Sequence, residues 1–500
     1  MNNHLISIIF GMKVKQARTD LGMTVTEFAS QCELSPSYVT EIEKGRKYPR
    51  TDKIMRMAEV LGKGYDELVS IRLEPPLTHL GTALSSPVLG QFPFEEFGVE
   101  MSDLINVLTR EPDKASALLH AISEVGRQYD MKEQHFLRAA LRSYQELHDN
   151  YFPDLEEAAA EFSQKHDLFS PLPIPMNRLR DLIQRQFNIQ LDDTRLHEDP
   201  ALAGYRSVYV KGSRPKLLIN HSLHEAQIKF VLAREIGYQV LGLTDRAYTS
   251  APEQVDSFQQ VFNDFKASYF GGAILMPRQP LLDDIRHLFD QTRWSPDLLL
   301  NLLTKYDVSP ETLLYRFSEL IPQFFGLRIH YLRLHNGQDE RYKLVKELNL
   351  NQLRVPNRTA ADEHFCRHWL VVRLLREVRK QHSNVPVVGV QMSEYLDAND
   401  HFLCFGFARP LSLTAGTNTC SIIGFRDDAD LGETIHFAHD ASVPHVTINE
   451  TCERCPLTAE QCTQRAAPHH LASPRNPPTQ AASPAKTRRS NEGVVLSAEC

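Results

Sequence analysis

No apolar run in this 500-residue chain approaches the roughly 18 residues that a membrane-crossing helix needs, which excludes a membrane-embedded reading. The apolar patch from Leu5 to Phe10 has no basic residue before it and no small-residue cleavage site after it, so no secretory signal is expected. The protein is therefore expected in the cytoplasm, with no membrane partner. Cysteine is scarce as well: the eight residues are too few to staple a chain of this length, and none lies between Cys32 and Cys366. Positive charge is in deficit, with 55 Lys and Arg against 63 Asp and Glu and a formal net charge of −8, an awkward balance for a nucleic-acid binder.

What is present is modular. Hydrophobic content of 42%, charged content of 24% and aromatic content of 9% are those of a globular protein and exclude collagenous or wholly disordered chains. The length exceeds one ordinary core and predicts three or more folded units. The charge is uneven: Met1 to Arg72 carries eleven Lys and Arg against nine Asp and Glu, which leaves −10 for the remainder. An acidic body with a mildly basic head limits non-specific DNA binding. The cysteines are uneven too. Cys452, Cys455 and Cys462 crowd together, a pattern that points to metal or redox chemistry in a reducing compartment.

From Gly11 to about Leu68 the spacing predicts short helices with tight connections. Phe28, Ala29 and Leu34 face a core, Ser35-Pro36 reads as an N-cap followed by proline at the first helical position, and Gly45 ends the helix that begins there. The segment Glu74 to Phe94, with Pro75, Pro76, Gly81, Pro87 and Gly90, reads as a linker. Helical spacing returns at Met101 to Leu108, Asp113 to Tyr129 and Lys132 to Asn150. Strands are expected at 207–210 and 215–220 around Gly212-Ser213, and a long helix from His224 to Leu243. Beyond them, 328–334 alternates like a strand, Asp362 to Gln381 reads as helix, and further strands fall between Val387 and His436. The last thirty or so residues, rich in Pro, Ala, Ser and Thr, are expected to be disordered.

A helix, a short turn and a second helix with a polar outer face form the arrangement that enters a major groove. The stretch Ser35-Pro36-Ser37-Tyr38-Val39-Thr40-Glu41-Ile42-Glu43-Lys44-Gly45-Arg46 closely resembles the Cro/repressor-type (XRE) helix-turn-helix family. The resemblance implies a double-stranded DNA operator as partner. Pro36, Ser37 and Glu41 would face base edges with help from Tyr38 and Thr40, while Lys44, Arg46 and Lys47 would meet phosphate. Arg18 and Glu43 match a pair that ties the first helix to the recognition helix. Val25 stands where the family usually has Gln, which removes one phosphate contact.

The segment from Phe230 to Tyr238 resembles the His-Glu-x-x-His helix of the ImmA/IrrE-like metallopeptidases, in which two His bind zinc and the Glu activates water. Glu235 is retained, but the His positions hold Arg234 and Tyr238, and Lys266 aligns where a third, acidic ligand is expected. No catalytic residue is assigned, and the chain is expected not to be an enzyme. One reading is a retained core helix with Glu235 paired to an Arg. The other is a cleft recharged by Arg234 and Lys266 to take an anionic small molecule such as a phosphate or acyl-CoA. Tyr248, Thr249, Ser250 and Tyr269 would then supply hydroxyls and aromatic walls, and Arg206, Lys211 and Arg214 further cations.

The cysteines of Cys452-Glu453-Arg454-Cys455 and Cys462 can converge on one metal or cluster, with Cys366 of His364-Phe365-Cys366-Arg367-His368-Trp369 as the fourth ligand. An iron–sulfur cluster and zinc both fit this spacing, while Cys404 and Cys420 read as packed thiols. With Phe365-Cys366-Arg367 and Trp369, this C-terminal pattern resembles the short-chain fatty acyl transcriptional regulators. That resemblance implies control of acetate, propionate, glyoxylate or methylcitrate metabolism, an acyl-CoA effector and a homodimer or higher homo-oligomer. Alternatives are a redox or iron–sulfur sensor and a DNA-binding metallopeptidase. The expected architecture is multidomain: an all-α helix-turn-helix domain at 1–73, a linker and helical connector at 74–166, an α+β metallopeptidase-like domain at 167–325, an α+β cysteine-bearing domain at 326–468 and a disordered tail at 469–500.

Overall fold

The fold is taken from a computed structural model. It describes residues 3–70, 94–98, 133–198, 202–249, 257–337, 341–356, 363–381, 385–396, 400–458 and 460–462. The linker from Glu74 to Pro93, the helices expected at 101–108 and 113–129, Ser250 and the tail with Cys500 lie outside the described residues. The chain divides into one unit of residues 1–144 with 256–258 and another of 145–255 with 259–500.

The first unit opens with α1 (Asn3–Asp20), α2 (Val25–Gln31), α3 (Pro36–Glu43), α4 (Thr51–Leu61) and α5 (Tyr65–Val69). Local chemistry sets the boundaries. The Thr24 hydroxyl accepts from the Glu27 amide at 3.2 Å, and the Glu27 carboxylate accepts from the Thr24 amide at 2.8 Å, a reciprocal cap on α2. Ser35 accepts from the Tyr38 amide at 3.2 Å, Pro36 occupies the first turn of α3, and Gly45 at φ 70° turns the chain out after it. Phe10, Val14, Phe28, Val39, Ile42 and Met57 close the core between these helices. The helix expected at 132–150 is α6 (Glu133–Leu147).

The second unit begins with α7 (Pro153–Lys165), α8 (Met176–Asp181), β1 (Gln190–Asp192) and α9 (Arg195–Glu198). Next come β2 (Ser207–Val210) and β3 (Lys216–Ile219), the hairpin expected around Gly212-Ser213, and α10 (Glu225–Val240). The small sheet runs β1-β3-β2. Four helices follow: α11 (Phe258–Leu275), α12 (Arg278–Phe289), α13 (Pro296–Tyr306) and α14 (Pro310–Phe325). Beyond them come β4 (Ile329–Asn336), β5 (Tyr342–Asn349), α15 (Leu370–Gln381), β6 (Val387–Tyr395), β7 (His401–Pro410), β8 (Asn418–Arg426), α16 (Ala429–Thr434) and β9 (His445–Ile448). The large sheet has the order β5-β4-β8-β7-β6-β9, antiparallel except for β6 with β9. The helix expected from Asp362 starts only at Leu370, because Phe365 pairs instead with Thr451 in an isolated bridge. Among the described residues no helix is long and apolar enough to cross a membrane.

The alternation of side chains divides the large sheet into two cores. Leu403, Phe405, Phe407, Ile423 and Phe425 share a core with Leu313, Phe317 and Leu320 of α14. Phe402, Cys404, Ala408, Cys420 and Ile422 pack with Leu370, Leu374 and Leu375 of α15 on the other face.

Arg316 of α14, 1% exposed, donates to Glu156 of α7 at 2.6 and 3.0 Å and to Glu319 at 2.8 Å. One cation serves two buried carboxyls, so they cannot be equivalent. Burial disfavours the Glu156 charge, but Arg316 and the Tyr269 hydroxyl hold its pKa below the ordinary value. Glu319 is pushed up to about 8, by burial first and by Glu156 in addition, against the pull of Arg316. Glu156→Gln should therefore cost about 3–5 kcal/mol in urea unfolding, because it strips Arg316 of its main partner. Glu319→Gln should cost less than about 1 kcal/mol at neutral pH. A carboxyl with a raised folded-state pKa binds its proton more tightly in the folded chain, so its contribution to stability falls as pH rises from 4.5 towards about 8. That slope should vanish in Glu319→Gln, and equal losses for the two variants would overturn the assignment.

Candidate functional site

In the first unit, Arg18 of α1, half-buried, donates to the buried Glu43 of α3 at 2.6 and 3.1 Å. This forked pair is the tie expected between the two helices. It leaves Pro36 and Ser37 exposed at the start of α3, Tyr38, Thr40, Glu41 and Lys44 half-buried, and Arg46 and Lys47 exposed after it. Arg46 lies 3.5 Å from Glu41, and Lys47 and Lys53 stand 5.8 and 4.4 Å from the Tyr38 ring. The Thr40 hydroxyl donates to the Pro36 carbonyl at 2.9 Å, which leaves its methyl and its two oxygen lone pairs for an outside contact.

In the second unit, α10 and α11 cross with almost no space between them. A Cβ at Gly237 would lie 2.7 Å from the Ala267 carbonyl oxygen, and one at Gly271 would lie 2.9 Å from the Arg234 amide nitrogen. Only glycine permits this approach. It brings Arg234 to 3.3 Å from Asp264 and 3.4 Å from the Ser207 hydroxyl, and the Tyr238 hydroxyl donates to the same Asp264 oxygen at 3.0 Å. Burial first, and then the Asp264 charge, drive the Tyr238 pKa up. Glu235 is 2% exposed and accepts two bonds from Arg246 at 2.9 and 2.7 Å. Arg246 in turn lies over the Tyr209 and Tyr238 rings at 4.3 and 3.7 Å. The group that would activate water in a peptidase is thus held by a buried arginine.

Several residues fall elsewhere than the sequence reading has them. The acid opposite Arg234 is Asp264, not Lys266. Two residues along a helix turn through about 200°, so Lys266 points away and stands 4.0 Å from the Phe262 ring. Tyr269 is 1% exposed and donates to Glu156 at 2.8 Å, well removed from the Arg234 cluster in its bonding. Thr249 bridges to Val208, and the Tyr248 carbonyl accepts from the Tyr209 amide at 2.8 Å, so this segment adds to the edge of β2. Lys211 and Arg214 are exposed in the hairpin turn. Arg206, half-buried just before β2, is brought near Arg234 but also near Arg333 and Arg409 of the large sheet, which sequence spacing does not reveal.

The bridge of Phe365 with Thr451 sets Cys366 beside Cys452: the Cys366 amide donates to Glu450 at 3.3 Å and the Cys452 amide to His364 at 2.9 Å. Burial raises the Cys366 pKa, and Cys452 and Cys455 raise it further. Cys462 lies 3.9 Å from His368 Nε2, a donor that the cysteine pattern alone does not signal. Glu453 bonds His364 at 2.7 Å and Arg454 bonds Glu363 at 2.8 Å, tying the two segments together. Among the described residues no three His, Cys, Asp or Glu stand in the spacing of a formed metal site. The donor set still suits a thiophilic metal or an iron–sulfur cluster. Cys404 and Cys420 are buried in the sheet core, where burial pushes Cys404 up to about 12.

A helix-turn-helix family model matches residues 14–68, and the model of the IrrE N-terminal-like domain matches residues 184–318. The first match and the geometry of α3 make the N-terminal helices a DNA-binding element. No curated protein matches the chain. Among solved structures it is similar to a Mycobacterium tuberculosis transcriptional regulator, at 19% identity over 68% of this chain and 97% of that one, with a TM-score of 0.44. It is also similar to the apo form of the competence regulator ComR from Streptococcus vestibularis, at 15% identity over 64% of this chain and 87% of that one, with a TM-score of 0.13.

Arg246→Met leaves Glu235 buried without its counter-charge and should cost about 3–5 kcal/mol in urea unfolding. An unchanged midpoint would mean that Glu235 is free to serve as a base.

Proposed function

We propose that the protein is a sequence-specific transcriptional regulator of short-chain fatty acid metabolism that responds to an acyl-CoA-like effector. The observation that carries the DNA half is α3, locked to α1 by Arg18 and Glu43 with its polar face outward and Arg46 and Lys47 exposed beside it. The effector half rests on the resemblance of the Cys366 and Cys452–Cys462 region to the short-chain fatty acyl regulators, together with the cations gathered around Arg206. A homodimer would present two α3 helices to a paired operator, and an effector bound in the second unit would bias their spacing. Allostery of this kind needs only a differential affinity of the effector for two arrangements.

Against the peptidase reading stand the Arg and Tyr at the two His positions and the engagement of Glu235 by Arg246. A guanidinium at a metal position repels the ion and, with Asp264, already satisfies the site electrostatically. Cys366, Cys452, Cys455 and Cys462 would hold an iron–sulfur cluster, or zinc in its place, with His368 in reach of Cys462. Such a centre would supply a redox- or iron-dependent constraint on the segments it joins.

Fluorescence anisotropy with operators selected from genomic DNA tests the reading. Lys44→Ala and Arg46→Ala should weaken binding to all sequences alike and each lower the salt slope by about 1, whereas Ser37→Ala or Glu41→Ala should change base preference. No selectable operator, or salt slopes unchanged in both cation variants, would overturn it. Anaerobically purified protein should carry iron with visible charge-transfer absorbance, and lose both in Cys452→Ser. Stoichiometric zinc without colour would favour the structural metal, and neither metal would remove the centre.

A further inference from the structure

The strand register of the large sheet assembles a basic recess that no sequence motif marks. Cross-strand partners lie on the same face. In one row Lys343 of β5 faces His335 of β4, which faces Thr419 of β8, which faces Arg409 of β7. In the next row Lys346 faces Arg333, which faces Ser421. A register shift between Arg333 and Leu334 lets β5 present both lysines to that face. These rows continue the face whose apolar end packs on α14, so one end of the face is greasy and the other cationic. Arg206 approaches from the small sheet, and Glu311 approaches from α14, where it accepts from Arg409 at 3.0 Å.

The recess is short of negative charge. Arg409 is 7% exposed and its Nε has no hydrogen-bond partner, and the same is true of His335 Nε2. Arg333 uses Nε on the Thr419 hydroxyl at 3.3 Å. No hydrogen bond or ion pair among the described residues holds the Arg206 guanidinium. Burial first, then Arg333, Arg409 and Arg234, push the Arg206 pKa down to about 10, with Glu311 opposing. Burial and Arg333 bring His335 down to about 4, so it stays neutral. Glu311, despite burial, is held down to about 2 by Arg409 and Arg333. One carboxylate thus faces Arg206, Arg333 and Arg409, and uncompensated cations in a desolvated site are costly. Arg206, Arg333 and His335 are only half-buried, so solvent reaches the recess.

We propose that this recess binds the phosphate groups of a small-molecule anion, with Arg206, Arg333 and Arg409 as its cationic ligands, so that the ligand joins β2 to the large sheet. Arginine forks suit phosphate oxygens, and the Arg234 cluster, closed by Asp264, is not the binding site. The inference rests on the effector-responsive reading above and relocates its site.

The test uses the full-length protein, with isothermal titration of inorganic pyrophosphate, ADP and coenzyme A at constant ionic strength. Binding is expected for at least one probe. Pyrophosphate alone identifies an inorganic anion, whereas ADP or coenzyme A binding more tightly identifies a nucleotide carrier. Arg206→Gln and Arg333→Gln should each weaken binding about tenfold or more, and Lys380→Gln, exposed at the end of α15, should leave it unchanged. Arg206→Gln should also raise the melting temperature of the ligand-free protein, because it removes an unpaired cation; a merely structural arginine would lower it. No binding of any probe, or equal binding to wild type and both variants, overturns the proposal. Operator affinity measured with and without acyl-CoA separates the two readings. An acyl-CoA response that persists unchanged in Arg333→Gln overturns the recess and keeps the effector reading, whereas phosphate binding lost in the variants without any effect on operator affinity supports the recess and defeats the effector reading.

Discussion

The contact on which the second unit turns is the near-touching crossing of α10 and α11 at Gly237 and Gly271. With the backbones that close, Arg234 and Tyr238 reach one oxygen of Asp264, and Glu235 is driven inward to a position that only a matched cation makes tolerable. Arg246 provides the match, and by doing so draws the chain after α10 back along β2, where Thr249 and Tyr248 meet Val208 and Tyr209. The position of β2, and of Arg206 just before it, follows from that crossing. A methyl group at either glycine would therefore disturb features far from the helices themselves.

The same rule of matched charge recurs elsewhere among the described residues. Arg18 with Glu43, Arg316 with Glu156 and Arg246 with Glu235 are forks, each with its carboxylate buried, in which donor and acceptor geometry agree. At the rim of the large sheet the rule fails, since Glu311 cannot answer three arginines. A chain whose formal charge is −8 has carboxylates to spare, so the shortage there is a matter of placement and not of supply.

Legibility in the sequence followed the range of the interactions. The helix-turn-helix could be read because its determinants lie within a few residues of one another: Thr24 with Glu27, Ser35 with Tyr38, and the glycine that ends α3. The hairpin of β2 and β3 and the long α10 were legible for the same reason. Asp264 was not, because choosing it over Lys266 requires the rotation of α11 about its axis, which the crossing partner decides. Nor was the backbone around Cys366 legible, since its segment is held extended by Thr451, far along the chain, where local spacing suggests helix. The cationic rows depend on pairings between β5, β4, β8 and β7 and on a register shift in β5, none of which leaves a mark in any one strand.

The ion pair between Arg234 and Asp264 has a consequence for what the helix crossing depends on. A helix pair closed by its own guanidinium and carboxylate leaves no charge at that point for an ion to neutralise. The shape of this crossing is therefore independent of whatever state the cysteines before α15 and after β9 are in, since none of the bonds that close it passes through them.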